Sequence, residues 1–480
     1  MPLASTNLGE RLASVIPADR VQSDPLRLSR YAVDEIIPAV IVKPASAGEA
    51  AEIVRFAIKE NLALVPCGHR SKVAIGMPPS RYDIALDMTA LNQIAHYDPG
   101  DLTLSVDAGC TLAAIDASLN PQNQFLPLPA AFGLHATIAG TIASGVDSPL
   151  RQSYGTARDF LVGAEFIDGS GAPCKSGGRV VKNVTGYDLH KLLIGSLGTL
   201  AVITRLSFRT FPSLTSGGSH GQVFCASFRT GNAAVAFRQK IAASPFTPYA
   251  VEIIDPEMNR LLSRVRARPW RAPAASAPPS PPSAVDGTAS YEVMDWLVVV
   301  FFHGTAELLT RYAAALSEFA ASAGATIFNT EDQHPASVFD AIRHLREAHP
   351  SATIFKIAQL PAKLPELFAA LANIADHAKL PHLLFAHGIG IAYFALALHA
   401  PGGSISMDNP VAVASVVKAC QEIFSVCASQ SATAQIQFAP TQIKRQVNVF
   451  GPAREDLSAM RRLKSAFDPH NIFAPGRMLQ

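Results

Sequence analysis

The sequence predicts an α+β protein of two or three domains, and three observations lead to this prediction. The chain has 480 residues, which is too long for one ordinary domain. Hydrophobic residues make up 49% of it, so a sizeable core can be buried. Short strands and glycine-rich turns alternate up to Phe211-Pro212, and regular strand–helix pairs follow. This change predicts a domain boundary close to residue 213.

Strand and helix patterns can be placed in order along the first half of the chain. Residues 41–58 read as a strand followed by a helix, and Ser46 with Glu49 forms a capping box. Further strands are predicted at 62–66, 84–88, 103–109, 160–168 and 200–211, with a helix at 111–119. Apolar residues alternate with arginines in the last of these strands, which indicates one buried face.

Strand–helix pairs over residues 214–440 predict a layered β-α-β domain. Strands are predicted at 221–228, 296–304, 351–360 and 383–398, and helices at 306–323, 363–378 and 411–428. Residues 264–290 are rich in Pro, Ala and Ser, and we expect a flexible insertion there. A short helix and a turn with two prolines are predicted for residues 460–480.

Composition and segment lengths exclude several classes of protein. Basic residues number 40 and acidic residues 38, so nothing favours a nucleic-acid partner. The longest apolar run, residues 383–398, is interrupted by His387 and two glycines and falls short of the ~18 apolar residues of a membrane span. Its β-branched and aromatic content predicts one buried strand. We expect a soluble protein without a transmembrane segment.

The cysteines do not have the spacing of a metal site. None of the six forms a C-x-x-C pair, and the two nearest, Cys420 and Cys427, are seven apart. An iron–sulfur cluster and a thiolate zinc site are therefore not expected. Residues 1–20 lack the basic and apolar segments of a secretory leader. These features predict reduced thiols in a cytosolic protein.

Three turns rich in small residues are candidates for ligand contact, and the first is residues 67–72. A strand that ends in a glycine-containing turn can direct successive N–H groups at phosphate oxygens. Arg70 and Lys72 add positive charge, and Ser71 adds a donor. The alternative is a solvated basic turn without a ligand.

The second turn is residues 135–145, where small side chains would let a flat or extended ligand lie against the backbone. Thr137, Thr141 and Ser144 can form hydrogen bonds to it. The alternative is tight packing of two backbones. No G-x-G-x-x-G follows the first strand, so a Rossmann site is not predicted.

The third turn lies within residues 177–203. Asp188 stands where a helix N-cap belongs, and Gly195 can close the short helix in the left-handed conformation. Gly198 then turns the chain into a strand, and Lys182-Asn183 either face the ligand or are solvated. The three turns together suit a long ligand with a pyrophosphate in its middle.

Taken in order, these segments resemble the FAD-binding domain of the vanillyl-alcohol oxidase type, also called the PCMH type. The resemblance rests on VKPASAGEAAEIVRFA, PCGHRSK, LDMTALNQIAHYDPGDLTLSVDAGC, FLPLPAAFGLHATIAGTIASG, SYGTARDFLVGAEFIDGSG, KNVTGYDLHKLLIGSLGTLAVI and FDPHNIFAPGRM. Within that family the KNVTGYDL segment looks most like the FAD-binding E subunit of the glycolate oxidase complex. The catalytic D subunit normally carries Glu where this chain has Leu197.

The resemblance implies a two-lobed PCMH-type FAD-binding domain and an α/β cap domain whose antiparallel sheet is covered by helices. The implied organisation is an N-terminal segment (1–35), the FAD-binding domain (36–213), a cap or substrate domain (214–440) and a C-terminal segment that returns to the FAD domain (441–480). FAD would lie between the lobes with its isoalloxazine beneath the cap.

The resemblance also implies which residues bind FAD. The first turn would cradle the pyrophosphate, the second would line the flavin and diphosphate with 154–158 nearby, and the third would contact the adenosine half. The implied residues are Cys67, Gly68, His69, Arg70, Ser71, Lys72, Thr137, Ala139, Gly140, Thr141, Ser144, Tyr154, Gly155, Arg158, Gly198, Thr199, Val202 and Ile203.

The sequence departs from the family pattern in both of the first two turns. The first loop usually reads Gly-Gly-Gly but here reads Gly68-His69-Arg70, and Ala139 replaces the first glycine of a pair. Relatives that attach FAD covalently use a His directly before Ser, whereas Arg70 intervenes here, so non-covalent FAD is expected. The side chains at 69 and 70 either contribute to phosphate binding or weaken flavin binding.

The cap contains a partial match to a metal-associated motif. AHGIG (386–390) is similar to a Glu-His-Gly-Ile-Gly signature of the D subunit and its metal-assisted relatives. Ala386 replaces the Glu and the motif lies within a predicted strand, so no metal is predicted. His387 and Tyr393 are either pocket residues or core strand positions.

The implied function is that of an FAD-dependent oxidoreductase subunit of a glycolate or D-lactate dehydrogenase complex. Oxidation of a small 2-hydroxy acid needs a base for the hydroxyl proton and a cation for the carboxylate. Arg343, Arg346, Lys356 and Lys444 are candidates for the cation, and the catalytic base is not identified.

Partners and location follow from the same resemblance. A catalytic flavin subunit and an iron–sulfur subunit are expected in a cytoplasmic complex, which is either free or peripheral at the inner membrane. The alternatives are a non-catalytic FAD-binding or assembly subunit and a stand-alone oxidase of alcohols or hydroxy acids.

Overall fold

A four-stranded sheet opens the structure. The computed structural model describes residues 5–128, 133, 135–179, 186–214, 220–264, 295–329, 338, 341–398, 409–453 and 455–479. Helices α1 (Ser5–Leu12), α2 (Pro25–Ser29) and α3 (Ala47–Lys59) accompany strands β1 (Val21–Gln22), β2 (Val40–Val42), β3 (Leu64–Cys67) and β4 (Ile84–Asp87). The strand order is β1-β2-β4-β3, with β2 and β3 parallel to β4.

Ser46 begins α3 as predicted. The Glu49 N–H donates to the Ser46 hydroxyl at 3.1 Å. The Glu49 carboxylate accepts from the Ala45 N–H at 2.8 Å rather than from Ser46, and it also pairs with Arg20. The predicted N-cap is therefore present, but the second hydrogen bond of the capping box comes from the Ala45 N–H instead of the Ser46 N–H.

An antiparallel five-stranded sheet follows. Its strands are β5 (Ile94–Asp98), β6 (Thr103–Asp107), β8 (Leu161–Ile167), β9 (Pro173–Gly177) and β10 (Val202–Arg209), in the order β5-β6-β10-β8-β9, while β7 (Gln124–Phe125) pairs with β11 (Phe211–Pro212). Between the strands lie α4 (Leu112–Leu119), α5 (Ile138–Ser144), α6 (Arg151–Tyr154), α7 (Ala157–Phe160) and a 3₁₀ helix (Leu189–Leu193).

These two sheets share one hydrophobic core, which a late segment of the chain completes. Apolar residues of α3 and of both sheets pack together with the fully buried Ile472 and Phe473. The late segment joins the edge strand β3, because the Leu64 N–H donates to the Ile472 carbonyl and the Ala474 N–H donates to the Leu64 carbonyl, each at 2.8 Å.

The second half of the chain forms one eight-stranded antiparallel sheet. Its strands are β12 (His220–Phe228), β13 (Ala250–Ile254), β14 (Trp296–Gly304), β15 (Thr326–Asn329), β16 (Thr353–Ala358), β17 (His382–His387), β18 (Ile391–Leu396) and β19 (Thr433–Phe438), in the order β15-β12-β14-β13-β17-β18-β16-β19. The helices are α8 (Gly231–Ala243), α9 (Pro256–Arg264), α10 (Ala306–Ser322), α11 (Ala341–Ala348), α12 (Leu364–His377), α13 (Pro410–Ser429), α14 (Thr441–Lys444) and α15 (Leu457–Phe467).

The two faces of this sheet have different neighbours. Helices α8, α10, α12 and α13 cover one face. The other face packs against α9 and α11 and against Ile75, Val146 and Leu197 of the first half. This second face therefore lies next to the turns that the sequence singled out.

Helix α13 is long and apolar enough to cross a membrane by length and composition alone. Its inward residues, among them Val416, Cys420 and Ile423, are fully buried in the core over the sheet. We therefore describe α13 as a core helix.

Two predicted elements differ from the structure. The run 383–398 is wrong as a single strand, because Gly388–Gly390 forms a turn between β17 and β18. Gly390 has φ +95°, and a Cβ there would lie 2.0 Å from the Gln359 carbonyl oxygen. AHGIG consequently ends a strand and enters a turn. The helix after Asp188 is a short 3₁₀ helix, and Asp188 pairs with Lys191 at 2.6 Å instead of capping it.

Most other predicted elements are confirmed within two or three residues, and the α+β class with an antiparallel sheet covered by helices is confirmed. Lys182-Asn183 and, beyond Arg264, the 264–290 insertion lie outside the described residues. The domain boundaries at 35, 213 and 440 stay predictions.

Candidate functional site

The three turns line one cleft with about 790 Å³ of empty space. The loop after β3 forms one wall, the first part of α5 another, and the turn before β10 a third. Most of the predicted cofactor-binding residues line it, namely Cys67, Gly68, His69, Arg70, Ser71, Lys72, Thr137, Ala139, Gly140, Ser144, Gly198 and Ile203. The fold thus brings together segments that are more than 50 residues apart in the sequence.

Gly68 allows the first two turns to touch. A Cβ at Gly68 would lie 2.1 Å from the hydroxyl oxygen of Thr137, so no side chain fits there. The neighbouring His69 donates from Nδ1 to the His135 carbonyl at 2.6 Å. These contacts hold the 67–72 loop against the start of α5.

Arg70 adopts an uncommon backbone conformation in this loop. Its φ is +62°, in the left-handed region that non-glycine residues rarely occupy. Its guanidinium lies 3.9 Å from the ring centroid of Tyr31, whose hydroxyl donates to Asp87 at 2.6 Å. Burial and this carboxylate raise the pKa of Tyr31. Tyr31 was not predicted, since no local pattern marks a residue that packs from a separate segment.

Two further cations reach the cleft. Lys72 is buried, and desolvation lowers its pKa to about 8. Arg477 is 2% exposed and donates from Nη2 to the carbonyls of Val73 and Ile75. Among the described residues its Nε and Nη1 have no hydrogen-bond partner. Such a buried cation with unused donors fits a bound anion. Arg477 lies in the FAPGRM segment that carried the resemblance, but it was not singled out.

The wall formed by α5 depends on a close crossing of two backbones. Gly145 ends α5 with φ +59°, and a Cβ there would lie 3.0 Å from the Cα of Gly195. The Leu197 N–H donates to the Ala143 carbonyl at 2.8 Å, which places the third turn along the helix. Gly195 has the predicted left-handed conformation, with φ +74°.

The other predicted cofactor-binding residues lie elsewhere. Thr141, Gly155 and Arg158 line a second cleft. Tyr154 packs in an aromatic cluster with Phe125, Phe211 and Tyr249. Thr199 and Val202 are buried, and the Thr199 carbonyl accepts from Lys464 at 2.8 Å. The assignment of all these residues to FAD binding stays a prediction.

The second cleft has about 880 Å³ of empty space and lies between helices α5 to α7 and strand β16. At its base the Asp147 carboxylate lies 2.5 Å from Lys356 Nζ and accepts from Arg151 at 2.6 Å. Lys356 also donates to the Gly145 carbonyl at 3.3 Å. The cleft therefore joins the first half of the chain to the eight-stranded sheet.

Of the four candidates for the carboxylate-binding cation, Lys356 lines the second cleft. Lys444 is fully buried and paired with Asp34 at 2.7 Å. Arg346 lies 3.9 Å from the ring centroid of Phe438. Arg343, on α11, is not among the residues that line either cleft.

His387 and Tyr393 occupy core positions of the sheet. His387 Nδ1 lies 2.9 Å from both carboxylate oxygens of Glu252, and both side chains are almost fully buried. Burial raises the pKa of Glu252, while His387 opposes that shift. Tyr393 stacks on Phe385 and lines neither cleft. Of the two predicted interpretations, the structure supports the core positions.

Comparison with known families gives two matches along the chain. The FAD binding domain matches residues 38–177. The C-terminal domain of FAD linked oxidases matches residues 219–423 and 449–478. The predicted resemblance and the FAD cofactor are confirmed.

Curated relatives match either part or nearly all of the chain. The glycolate oxidase subunit GlcE of Escherichia coli is 38% identical over 162 residues, which cover 34% of this chain and 46% of GlcE. The match thus spans less than half of that relative. A D-2-hydroxyglutarate dehydrogenase of Xanthomonas citri pv. viticola is 24% identical over 98% of this chain and 96% of its own. The glycolate oxidase subunit GlcD of Bacillus subtilis is 23% identical, over 92% and 89%.

Solved structures share the fold over almost the whole chain. A p-cresol methylhydroxylase with bound substrate has a TM-score of 0.75 at 15% identity, covering 99% of this chain and 97% of that one. A 4-ethylphenol oxidase from Gulosibacter chungangensis has a TM-score of 0.73 at 14% identity, covering 98% and 96%. At these identities the likeness establishes the fold alone.

Proposed function

Because this chain belongs to the FAD-linked oxidase family, we propose that it is an FAD-dependent oxidoreductase subunit that acts on a small 2-hydroxy acid. The family matches and the first cleft together carry this proposal. Glycolate oxidase subunits and a D-2-hydroxyglutarate dehydrogenase among its relatives support the substrate class.

The first cleft suits FAD in its lining and in its charge. Arg70, Lys72 and the unused donors of Arg477 surround the loop that would receive the pyrophosphate. We propose that these three cations and the N–H groups of the 67–72 loop hold the phosphates.

FAD supplies the electron acceptor for oxidation of the substrate carbon when it is bound. The chain must then bind the substrate carboxylate and accept the hydroxyl proton. Lys356, with Arg151 beside it, is the proposed carboxylate-binding cation, since it lines a cleft at the junction of the two halves. No described residue is singled out as the base.

We also propose that the chain works in a complex with a catalytic flavin subunit and an iron–sulfur subunit. The relatives named as glycolate oxidase subunits support a complex of several subunits, whereas the iron–sulfur subunit rests on the sequence resemblance alone. The complex would be cytoplasmic, either free or peripheral at the inner membrane.

A non-catalytic FAD-binding subunit of the same complex is the second candidate. One observation favours it. The carboxylate of Asp147 already lies against Lys356 and Arg151, so both cations are paired within the chain. A subunit that only carries FAD would keep this ion pair closed.

The visible absorption spectrum of the purified chain tests these proposals. We expect a flavin band that bleaches on anaerobic addition of glycolate or D-lactate. The Lys356→Met variant should keep the flavin band but require much more substrate, whereas Lys363→Met, which changes an exposed lysine seven residues further along the chain, should match the wild type. A flavin band unchanged by both acids would favour the non-catalytic subunit, and failure to bind FAD would contradict both candidates.

A further inference from the structure

The second cleft carries an excess of positive charge. Arg151, Arg158, Lys191 and Lys356 line it together with one carboxylate, that of Asp147. Lys191 is paired with Asp188 at 2.6 Å, so three cations remain around the carboxylate of Asp147, and this excess of positive charge favours a second anion.

Asp147 holds the two cations at the base of this cleft. Its side chain is 7% exposed, against 16% for Lys356 and 34% for Arg151. Burial by itself would raise the pKa of Asp147, but the two neighbouring cations hold it below its usual value. The group is therefore ionised at neutral pH, and both cations are engaged before any ligand arrives.

A neighbouring hydroxyl offers a further contact to a ligand. The Ser148 oxygen accepts from the Leu150 N–H at 3.2 Å, and Ser148 donates no hydrogen bond within the described part of the chain. Its proton can thus be given to a ligand oxygen. Cations for a carboxylate and a hydroxyl for a second oxygen match the two functional groups of a 2-hydroxy acid.

We propose that the second cleft binds the carboxylate of a small 2-hydroxy acid, and that Asp147 is an internal competitor which the ligand must displace from Lys356 and Arg151. This inference rests on the proposed function and adds Asp147 as a residue that sets the affinity of the second cleft for its ligand. A ligand carboxylate offers the two cations the same charge-assisted contacts that Asp147 offers. Any ligand therefore binds by exchange, and part of its interaction free energy is offset by the contacts of Asp147 that are lost.

The displacement also acts on the link between the two halves of the chain. Asp147 belongs to the loop after α5, whereas Lys356 belongs to β16 of the eight-stranded sheet. Exchange of the internal carboxylate for that of a ligand breaks the ion pair between Asp147 and Lys356 that links the two halves. The ligand would then bridge Arg151 and Lys356 itself.

Calorimetric titration with oxalate, a small carboxylate that cannot be oxidised by hydride loss, tests the proposal on the FAD-loaded chain. Asp147→Asn keeps the shape but removes the charge, and it should bind oxalate at least about tenfold more tightly, the scale of effects seen for close charge pairs. Lys356→Met should bind it more weakly. Asp159→Asn is the matched control, since Asp159 is exposed and accepts from Thr156 rather than from a cation; it should equal the wild type.

Equal or weaker oxalate binding by Asp147→Asn would overturn the proposal. If that variant does not fold, Arg151→Gln provides the second test, and unchanged oxalate binding there would overturn it as well. Absence of oxalate binding in both wild type and Asp147→Asn, with the flavin spectrum intact, would refute the carboxylate site alone. If the wild-type chain did not bind FAD, that result would instead contradict the proposed function.

Discussion

Replacing Arg70 by glycine separates the stability of the 67–72 loop from its ability to bind phosphate. Arg70 has φ +62°, and its guanidinium stacks 3.9 Å from the ring centroid of Tyr31. Asp87 fixes that ring through a 2.6 Å hydrogen bond. Arg70→Gly removes the backbone strain, the stacking and the charge together.

The first two of these effects oppose each other in the FAD-free chain. A non-glycine residue in the left-handed region costs about 1–2 kcal/mol. The lost cation–π contact is worth about 0.5–2 kcal/mol, depending on its desolvation. The greater freedom of glycine in the unfolded state costs about 0.5–1 kcal/mol more. We therefore expect the free energy of unfolding to change by between a gain of about 1 kcal/mol and a loss of about 2 kcal/mol.

Affinity for FAD should fall whichever way the stability changes. A hydrogen bond to a charged group contributes about 1.5–3 kcal/mol, so loss of the guanidinium should raise the Kd for FAD roughly 10- to 100-fold. Urea unfolding of the FAD-free chain and quenching of FAD fluorescence on titration measure the two quantities. Arg70→Asn is the matched control, because Asn tolerates the left-handed region without the charge and should behave like Gly.

Two results would refute this reasoning. A loss of stability above about 3 kcal/mol with unchanged FAD affinity would mean that Arg70 is structural. Tighter FAD binding by both variants would support the other alternative left by the sequence, in which the side chain at 70 weakens flavin binding.

Three further predictions concern buried groups. Since the pKa of Lys72 is lowered to about 8, its charge is lost as the pH rises through 8, and FAD affinity should fall between pH 7 and 9 in the wild type. The Lys72→Met variant should bind more weakly with no such pH dependence, and a parallel decline in both would contradict this. Gly68→Ala should abolish FAD retention and destabilise the fold by about 1–3 kcal/mol, whereas Gly178→Ala, where a Cβ meets nothing within 4 Å, should be neutral in both assays. Lys444→Met should cost about 3–5 kcal/mol in urea unfolding because it leaves Asp34 buried without its cation, and a cost below 1 kcal/mol would refute the pairing as a stabilising element.

Local patterns predicted most of the secondary structure but not its interruptions. The strands at 84–88 and 296–304 have apolar and β-branched residues with clear ends, and they appear almost as predicted. The hairpin within 383–398 was missed because its turn, Gly388–Gly390, lies inside a run that, apart from His387, is apolar on both sides. Burial on both faces of a strand removes the alternation that would have marked the break.

The site divides in the same way between local and distant information. The 67–72 loop was predicted because its glycine and cations are adjacent in the sequence. Tyr31 beneath Arg70 and Asp147 beside Lys356 were not, since each pair joins residues that only the tertiary fold brings together. Neither spacing nor composition carries such a contact when a single sequence is available.

Residues 472–477 return to the four-stranded sheet, and this fixes the order in which the first cleft can be completed. Arg477 donates to the Val73 carbonyl across 404 residues, and Phe473 fills the core beside β3. After the 67–72 loop has been synthesised, the ribosome must add about 404 more residues before Arg477, the third cation of the first cleft, is present. Until then the core of the first two sheets lacks the fully buried side chains of Ile472 and Phe473. FAD binding is therefore expected only after synthesis has passed residue 477. The eight-stranded sheet, made entirely in that interval, is free to fold first.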